Sequence, residues 1–191
     1  MLVARGAHLD ALRERGLALV DHVGAVSGTY RLPATDEPAD FGGQDLVVIG
    51  LKAHAIPAML PRMKPLVRDE TVVVAAINGL PWWYFQGVGG PLDGLTLRSL
   101  DPAGTMPAAL DASHILGCVV HVAAEVRAPG EVHHTGGRRL ILGELDNAPS
   151  DRLHAICDAL DTAGFETVRS TNIRLDVWTK LIGNLSFNPI A

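Results

Sequence analysis

The 191 residues predict an α/β fold, on three observations. Two runs, "DLVVIGLK" and "ETVVVAAINGL", are apolar nearly throughout, as in strands covered on both faces. Between them lies "AHAIPAMLPRMKPLV", which predicts a helix started or broken by its prolines. Strand, helix, strand in that order argues for a parallel sheet.

The remaining elements follow along the chain. "MLVARG" has the character of the tail of a buried strand. In "AHLDALRERGLAL", Leu9, Leu12 and Leu17 stand near helical spacing and Gly16 is a C-terminal stop. "DHVGAVSGTYRLPATDEPADFGGQ" is loop with short strand pieces, being rich in Gly, Pro, Asp and Thr. The chain is again Gly- and Pro-rich from Pro81 to about Ser113. "HILGCVVHVAAEVRAPGEVHHTGGRRLILGEL" predicts two strands of an antiparallel hairpin about Pro129-Gly130. "SDRLHAICDALDTAG" carries a Ser or Asp N-cap, an apolar face and a terminal Gly164. "FETVRS" is a short strand, and "TNIRLDVWTKLIGNLSFN" a final helix.

Bulk composition narrows the partners. Hydrophobic residues make up 48% and charged residues 19%, which describes a packed chain and not a disordered one. The length suits one domain, or one domain and part of another. A net charge of −5 without a long basic run argues against nucleic acid and anionic membrane as partners. No apolar stretch approaches the roughly 18 residues of a membrane span, and no secretion signal is visible in "MLVARGAHLD". Cys118 and Cys157 fit no metal or redox spacing, and are expected as reduced, buried residues of a cytoplasmic protein.

The chemistry concentrates in "DVWTKLIGNLSFNPIA". Lys180, Asn184 and Asn188 are spaced four and four, so a helix projects them on one side. Trp178, Leu181, Leu185 and Phe187 spread around the rest, which predicts a largely buried helix. Asparagine is a poor helix former, so two in one row with a lysine cost stability. On spacing alone the row is either a solvated stripe or a polar site. In a site, the lysine would protonate or polarise a carbonyl oxygen, and the carboxamides would orient a polar ligand. Other candidates are weaker. His133 and His134 are adjacent, and neighbours in a strand point to opposite faces, so no metal site is expected there. Trp82, Trp83, Tyr84 and Phe85 lack basic neighbours for base stacking and are expected as core or a pocket wall.

Several of these segments carry a resemblance. "WTKLIGNLSFNPIA" resembles the W-x-K-L-x-x-N-x-x-x-N-P signature of the ketopantoate reductases (2-dehydropantoate 2-reductases). "VARGAHLDALRERGL", "DLVVIGLKAHAIPAML", "VVAAINGL" and "GEVHHTGGRRLILGEL" resemble further segments of that family in the family's order, along nearly the whole chain. The resemblance implies an incomplete Rossmann-like NADP-binding domain over residues 1–170, then the first helix of an all-α substrate and dimerisation domain at 171–191. It implies NADPH-dependent reduction of ketopantoate to pantoate, on the route to coenzyme A. It gives Lys180 the role of general acid, and Asn184 and Asn188 the role of substrate holders. Lys52 would lie near substrate and nicotinamide, and Asn78 at the nicotinamide end of the cofactor. Arg5 falls where an acidic residue would hold a ribose 2′-hydroxyl, and an arginine there favours the 2′-phosphate of NADP. The expected partners are a small 2-oxo acid and a second copy in a homodimer.

The sequence also departs from the family. No G-x-G-x-x-G turn for the pyrophosphate is present. The strand that carries it is central in the usual order 3-2-1-4-5-6, so the strands ending near Arg5 and Lys52 are expected to flank an empty slot. The family's helical domain is not represented after Ala191, so an apolar side of the last helix should be exposed and activity of this chain by itself is doubtful. The aromatic "PWWYF" beside Asn78 leaves the exact 2-oxo acid open.

Overall fold

A computed structural model describes residues 1–187, with side chains through Ser186. The chain forms an α/β structure whose strands are β1 Leu2–Val3, β2 Leu17–Val20, β3 Val26–Tyr30, β4 Ala34–Thr35, β5 Gln44–Ile49, β6 Val67–Ala75, β7 Ile115–Ala128, β8 Glu131–Glu144 and β9 Glu166–Arg169. The helices are α1 Gly6–Arg15, α2 Ile56–Met63, α3 Met106–Ala109, α4 Asp151–Thr162 and α5 Ile173–Phe187. Two compact units result: Met1–Gly42 with His121–Arg138, and Gly43–Val120 with Arg139–Ala191.

In the first unit, β1 pairs in parallel with β4. β2 pairs antiparallel with β3 and in parallel with β8 at Glu131 to His133. Helix α1 buries Leu9, Ala11 and Leu12 and stops at Gly16, whose positive φ of 83° suits glycine. Gly16 is the stop that the sequence predicts, and Leu17 beyond it opens β2. One expectation fails here. β1 is not buried: only two residues pair, and Val3 stays exposed. The hairpin turn packs against α1, where the Gly130 N–H donates to His8 Nδ1 at 3.0 Å.

In the second unit the strand order is β9-β8-β7-β6-β5. β5, β6 and β7 run parallel, as do β8 and β9, while the two-residue hairpin reverses direction between β7 and β8. The strand–helix–strand run gives the parallel pair expected of it, and the expected hairpin makes the sheet mixed. β5 is a correction. It lies last in the order, and Val47 and Ile49 are buried while Leu46 and Val48 are exposed. Its apolar run is covered on one face only.

The core of this unit is made by Val73, Ala75, Leu116, Leu142, Cys157, Trp83 and Ile173, all essentially inaccessible. Burying each large aliphatic side chain contributes about 1.5–3 kcal/mol. Two glycines bring α5 onto the sheet. A Cβ on Gly117 would lie 2.6 Å from Ile173 Cγ1 and 2.9 Å from Trp83 Cη2. On Gly143 it would lie 3.0 Å from Ile173 Cβ and 2.9 Å from Ser170 Cβ. Glycine inside a strand marks such a close approach. At the start of α5, Asn172 Oδ1 accepts from the Leu175 N–H at 3.1 Å, a side-chain cap that satisfies one free helix donor.

Candidate functional site

The site is built at one edge of the sheet in the second unit. Ile49 pairs with Ala75, and Ala75 with Gly117. Lys52, Asn78 and Val120 each lie three residues beyond that row, at the C-terminal edge of β5, β6 and in the following stretch of β7. Tight turns at Ala76 and Ile77 end β6 just before Asn78. Gly79 then adopts φ 86° with open space around it. Such edges of parallel strands are where α/β proteins place ligands.

Helix α5 supplies the other wall. Ile173, Val177, Lys180 and Asn184 fall within about 60° of one another around the helix axis. Ile173 is anchored at Gly117 and Gly143, so two turns later Lys180 is delivered to the strand ends. Its Nζ donates to Asn78 Oδ1 at 2.6 Å and to the Val120 carbonyl. Both acceptors are neutral. Burial pulls the ammonium below the 10.5 of a free lysine. Burial also pushes the Cys118 thiol up to about 12, so it stands neutral beside Lys180. A cleft of about 290 Å³, its open mouth included, is bordered by Lys180, Asn184, Leu181, Pro81, Gly79 and Cys118 among others. It is mostly apolar, with the lysine and carboxamide as its polar features.

Of the residues singled out from sequence, the structure brings Lys180, Asn78 and Asn184 together. Lys52 is exposed and its carbonyl accepts from Ala55 N–H in the turn that leads into α2. Arg5 belongs to the first unit. It caps α1 in an extended conformation, is exposed, and no carboxylate stands in the first helical turn. Asn188 lies outside the described residues. The helix is not largely buried as expected, because Trp178 and Leu185 are exposed. "PWWYF" is core and wall together: Trp83 is inaccessible against Gly117, and Trp82 lines a second, smaller cavity with Ala53, Ile56 and Met106. His133 bonds to Glu131, and His134 Nε2 to the Gly137 carbonyl at 2.6 Å.

Sequence reasoning missed Arg174, Gly117 and Gly143. The glycines had a signal. "ILG" occurs in both hairpin strands, as Ile115-Leu116-Gly117 and Ile141-Leu142-Gly143, each glycine interrupting an apolar run. Arg174 had none, since an arginine in a helix ordinarily faces water.

Residues 1–83 match the family described as ketopantoate reductase PanE/ApbA. The whole chain aligns at 42% identity over 190 residues with a 2-dehydropantoate 2-reductase from Mesorhizobium japonicum, of which it spans 58%. A 2-dehydropantoate 2-reductase from Halobacterium salinarum is 28% identical over 188 residues, again with 55% of its length covered. Among crystal structures, one from Ralstonia solanacearum MolK2, assigned to the ketopantoate reductases, superposes with a TM-score of 0.92 at 41% identity. The match covers 98% of this chain and 58% of that one. A 2-dehydropantoate 2-reductase from Geobacter metallireducens gives 0.74 at 25% identity, covering 97% and 55%. The chain thus spans somewhat over half the length of these relatives.

Proposed function

Because the chain carries a domain of the ketopantoate reductase PanE/ApbA family, we propose that the full-length protein reduces 2-dehydropantoate to pantoate with NADPH, in coenzyme A biosynthesis. The observation that carries the reading is Lys180: a half-buried ammonium, bonded to the neutral Asn78 and Val120 acceptors at the C-terminal edge of the sheet.

The bound cofactor would supply hydride to the C2 carbonyl. Lys180 would stabilise the oxyanion that develops and give it a proton. Burial strengthens this role twice, by lowering the dielectric around the charge and by easing proton release. Asn78 would hold Lys180 in place and face the nicotinamide end. Asn184, and Asn188 beyond it, would hydrogen-bond the substrate. Lys52 would offer a second cation for the substrate carboxylate or the cofactor.

The residues present fit part of NADP. Arg5 leads directly into a ten-residue helix and makes no side-chain cap bond to it, and the first turn of a helix presents backbone N–H donors without intrahelical partners. A cation beside a helix N-terminus suits a 2′-phosphate. In this reading residues 1–170 are the cofactor domain and 171–191 begin the helical substrate domain.

The test is an assay of NADPH oxidation by the full-length protein with ketopantoate and a panel of other 2-oxo acids. Substrate-dependent oxidation that is lost in Lys180→Ala is expected, and near-normal turnover in that variant would sink the general-acid role. A second reading is a non-catalytic module that self-associates through α5. It is favoured by the exposed Leu175, Trp178, Ile182 and Leu185 on that helix. Concentration-dependent dimerisation in sedimentation, with no NADPH binding by calorimetry, would select it.

A further inference from the structure

Arg174 is buried in the second unit without a carboxylate in any of its three hydrogen bonds. Its Nε donates to the Tyr84 carbonyl at 2.8 Å, one terminal nitrogen to the Gln86 carbonyl at 2.6 Å, and the other to the Leu145 carbonyl. The residue is 9% exposed. Burial pulls its pKa down from the ordinary value, yet a guanidinium stays charged. A desolvated cation costs several kcal/mol unless its donors are satisfied, so a chain that keeps one here is using its planar fork of donors.

What the fork holds is informative. Residues 81–86 have little regular structure: Tyr84 N–H reaches the Pro81 carbonyl and Gln86 N–H the Trp83 carbonyl, both single turns. Three side-chain donors in this segment, Trp82 Nε1, Trp83 Nε1 and Gln86 Nε2, are buried without a partner. The segment is therefore poorly held by its own polar groups. Yet Pro81 borders the Lys180 cleft and Trp82 the adjoining cavity. Arg174 stands on the same helix as Lys180, next to the anchored Ile173.

We propose that Arg174 is a positioning residue: it ties residues 84–86 to helix α5 and so fixes the wall of the cleft relative to Lys180. Its consequence for substrate rests on the reduction reading above; the tie itself does not.

Hydrogen exchange on the full-length protein tests the tie, comparing wild type, Arg174→Met, Arg174→Lys and Arg152→Met. Arg152 is the control, since it holds Glu144 and the Ser113 carbonyl elsewhere in the same unit. Arg174→Met should speed exchange at residues 84–94 at least tenfold, with α4 unchanged, whereas Arg152→Met should leave residues 84–94 as in wild type. Arg174→Lys keeps a cation but not the fork, and should fall between. If Arg174→Met does not fold, the threefold or greater rise expected in Arg174→Lys decides. Unchanged exchange at residues 84–94, or an equal rise in the Arg152 control, overturns the tie.

In the full-length protein, Arg174→Lys should raise KM for the 2-oxo acid about tenfold while KM for NADPH holds, and Arg152→Met should move neither. A KM for the oxo acid equal to wild type overturns the positioning role. Absence of any wild-type reduction would fail the reduction reading instead, and the exchange comparison would still decide the tie.

Discussion

Helix α5 has two opposite faces with opposite fates. The inward face, Ile173, Val177, Lys180 and Asn184, is anchored by glycine contacts and ends in polar chemistry. The outward face, Leu175, Trp178, Ile182 and Leu185, is apolar and exposed. An apolar stripe at spacings of three and four ordinarily identifies the buried side of a helix. Here it would identify the wrong side of the described residues. The inward face is instead recognised by what lies opposite it, two glycines on neighbouring strands.

The largest effect expected from breaking this comparison is on turnover. In the full-length protein, Lys180→Ala should lower kcat by about 10²- to 10⁴-fold, the range of a lost general acid. Cofactor affinity by calorimetry should be retained, because the role proposed for Lys180 is toward the substrate carbonyl. The pH profile sharpens the same point. Lys180 must be protonated to act as an acid, and burial lowers its pKa. Reduction should therefore decline on the alkaline side with an apparent pKa below 10.5, steady through neutral pH. An alkaline limb at or above the free-lysine value would contradict a desolvated Lys180.

Next in size is the anchor. Gly117→Ala places a methyl 2.6 Å from Ile173 Cγ1 and 2.9 Å from Trp83, both inaccessible side chains with no room to retreat. Overpacking of this kind costs about 1–3 kcal/mol, to be measured as a shift in urea midpoint at constant slope. Gly183→Ala is the matching control on the helix itself, since nothing lies within 4 Å of a Cβ there. It should be neutral or slightly stabilising. Equal losses in the two variants would deny that the glycine contacts seat α5.

These contrasts show what was legible in the sequence. The buried strands, the hairpin about Pro129-Gly130 and the helix bearing Lys180 follow from apolar runs, turn residues and spacing, which are local properties. The partnership of Lys180 with Asn78 does not. It depends on the register that levels Ile49, Ala75 and Gly117, and register is set by packing between distant segments. The apolar run of β5 was misleading for the same reason: hydrophobicity states that a strand can be covered on both faces, not that it is. Arg174 was hidden because its burial depends on three carbonyls brought together only by the fold.

The smallest effect tests the outward face directly. Ile182 and Leu185 are 53% and 63% exposed, so replacing both by glutamine removes little burial from the chain. Glutamine is as good a helix former as leucine and better than isoleucine. The double variant should unfold within about 0.5 kcal/mol of wild type in urea, as surface substitutions do. Binding of a hydrophobic dye should fall, because two of the four exposed side chains are gone. On the inward face, Val177→Gln should behave differently. Val177 is 6% exposed, and an amide there would be buried without a partner, at a cost of about 1–3 kcal/mol. If the outward double variant lost as much stability as Val177→Gln, the stripe would be packed in solution, and the contrast between the faces of α5 would have to be withdrawn.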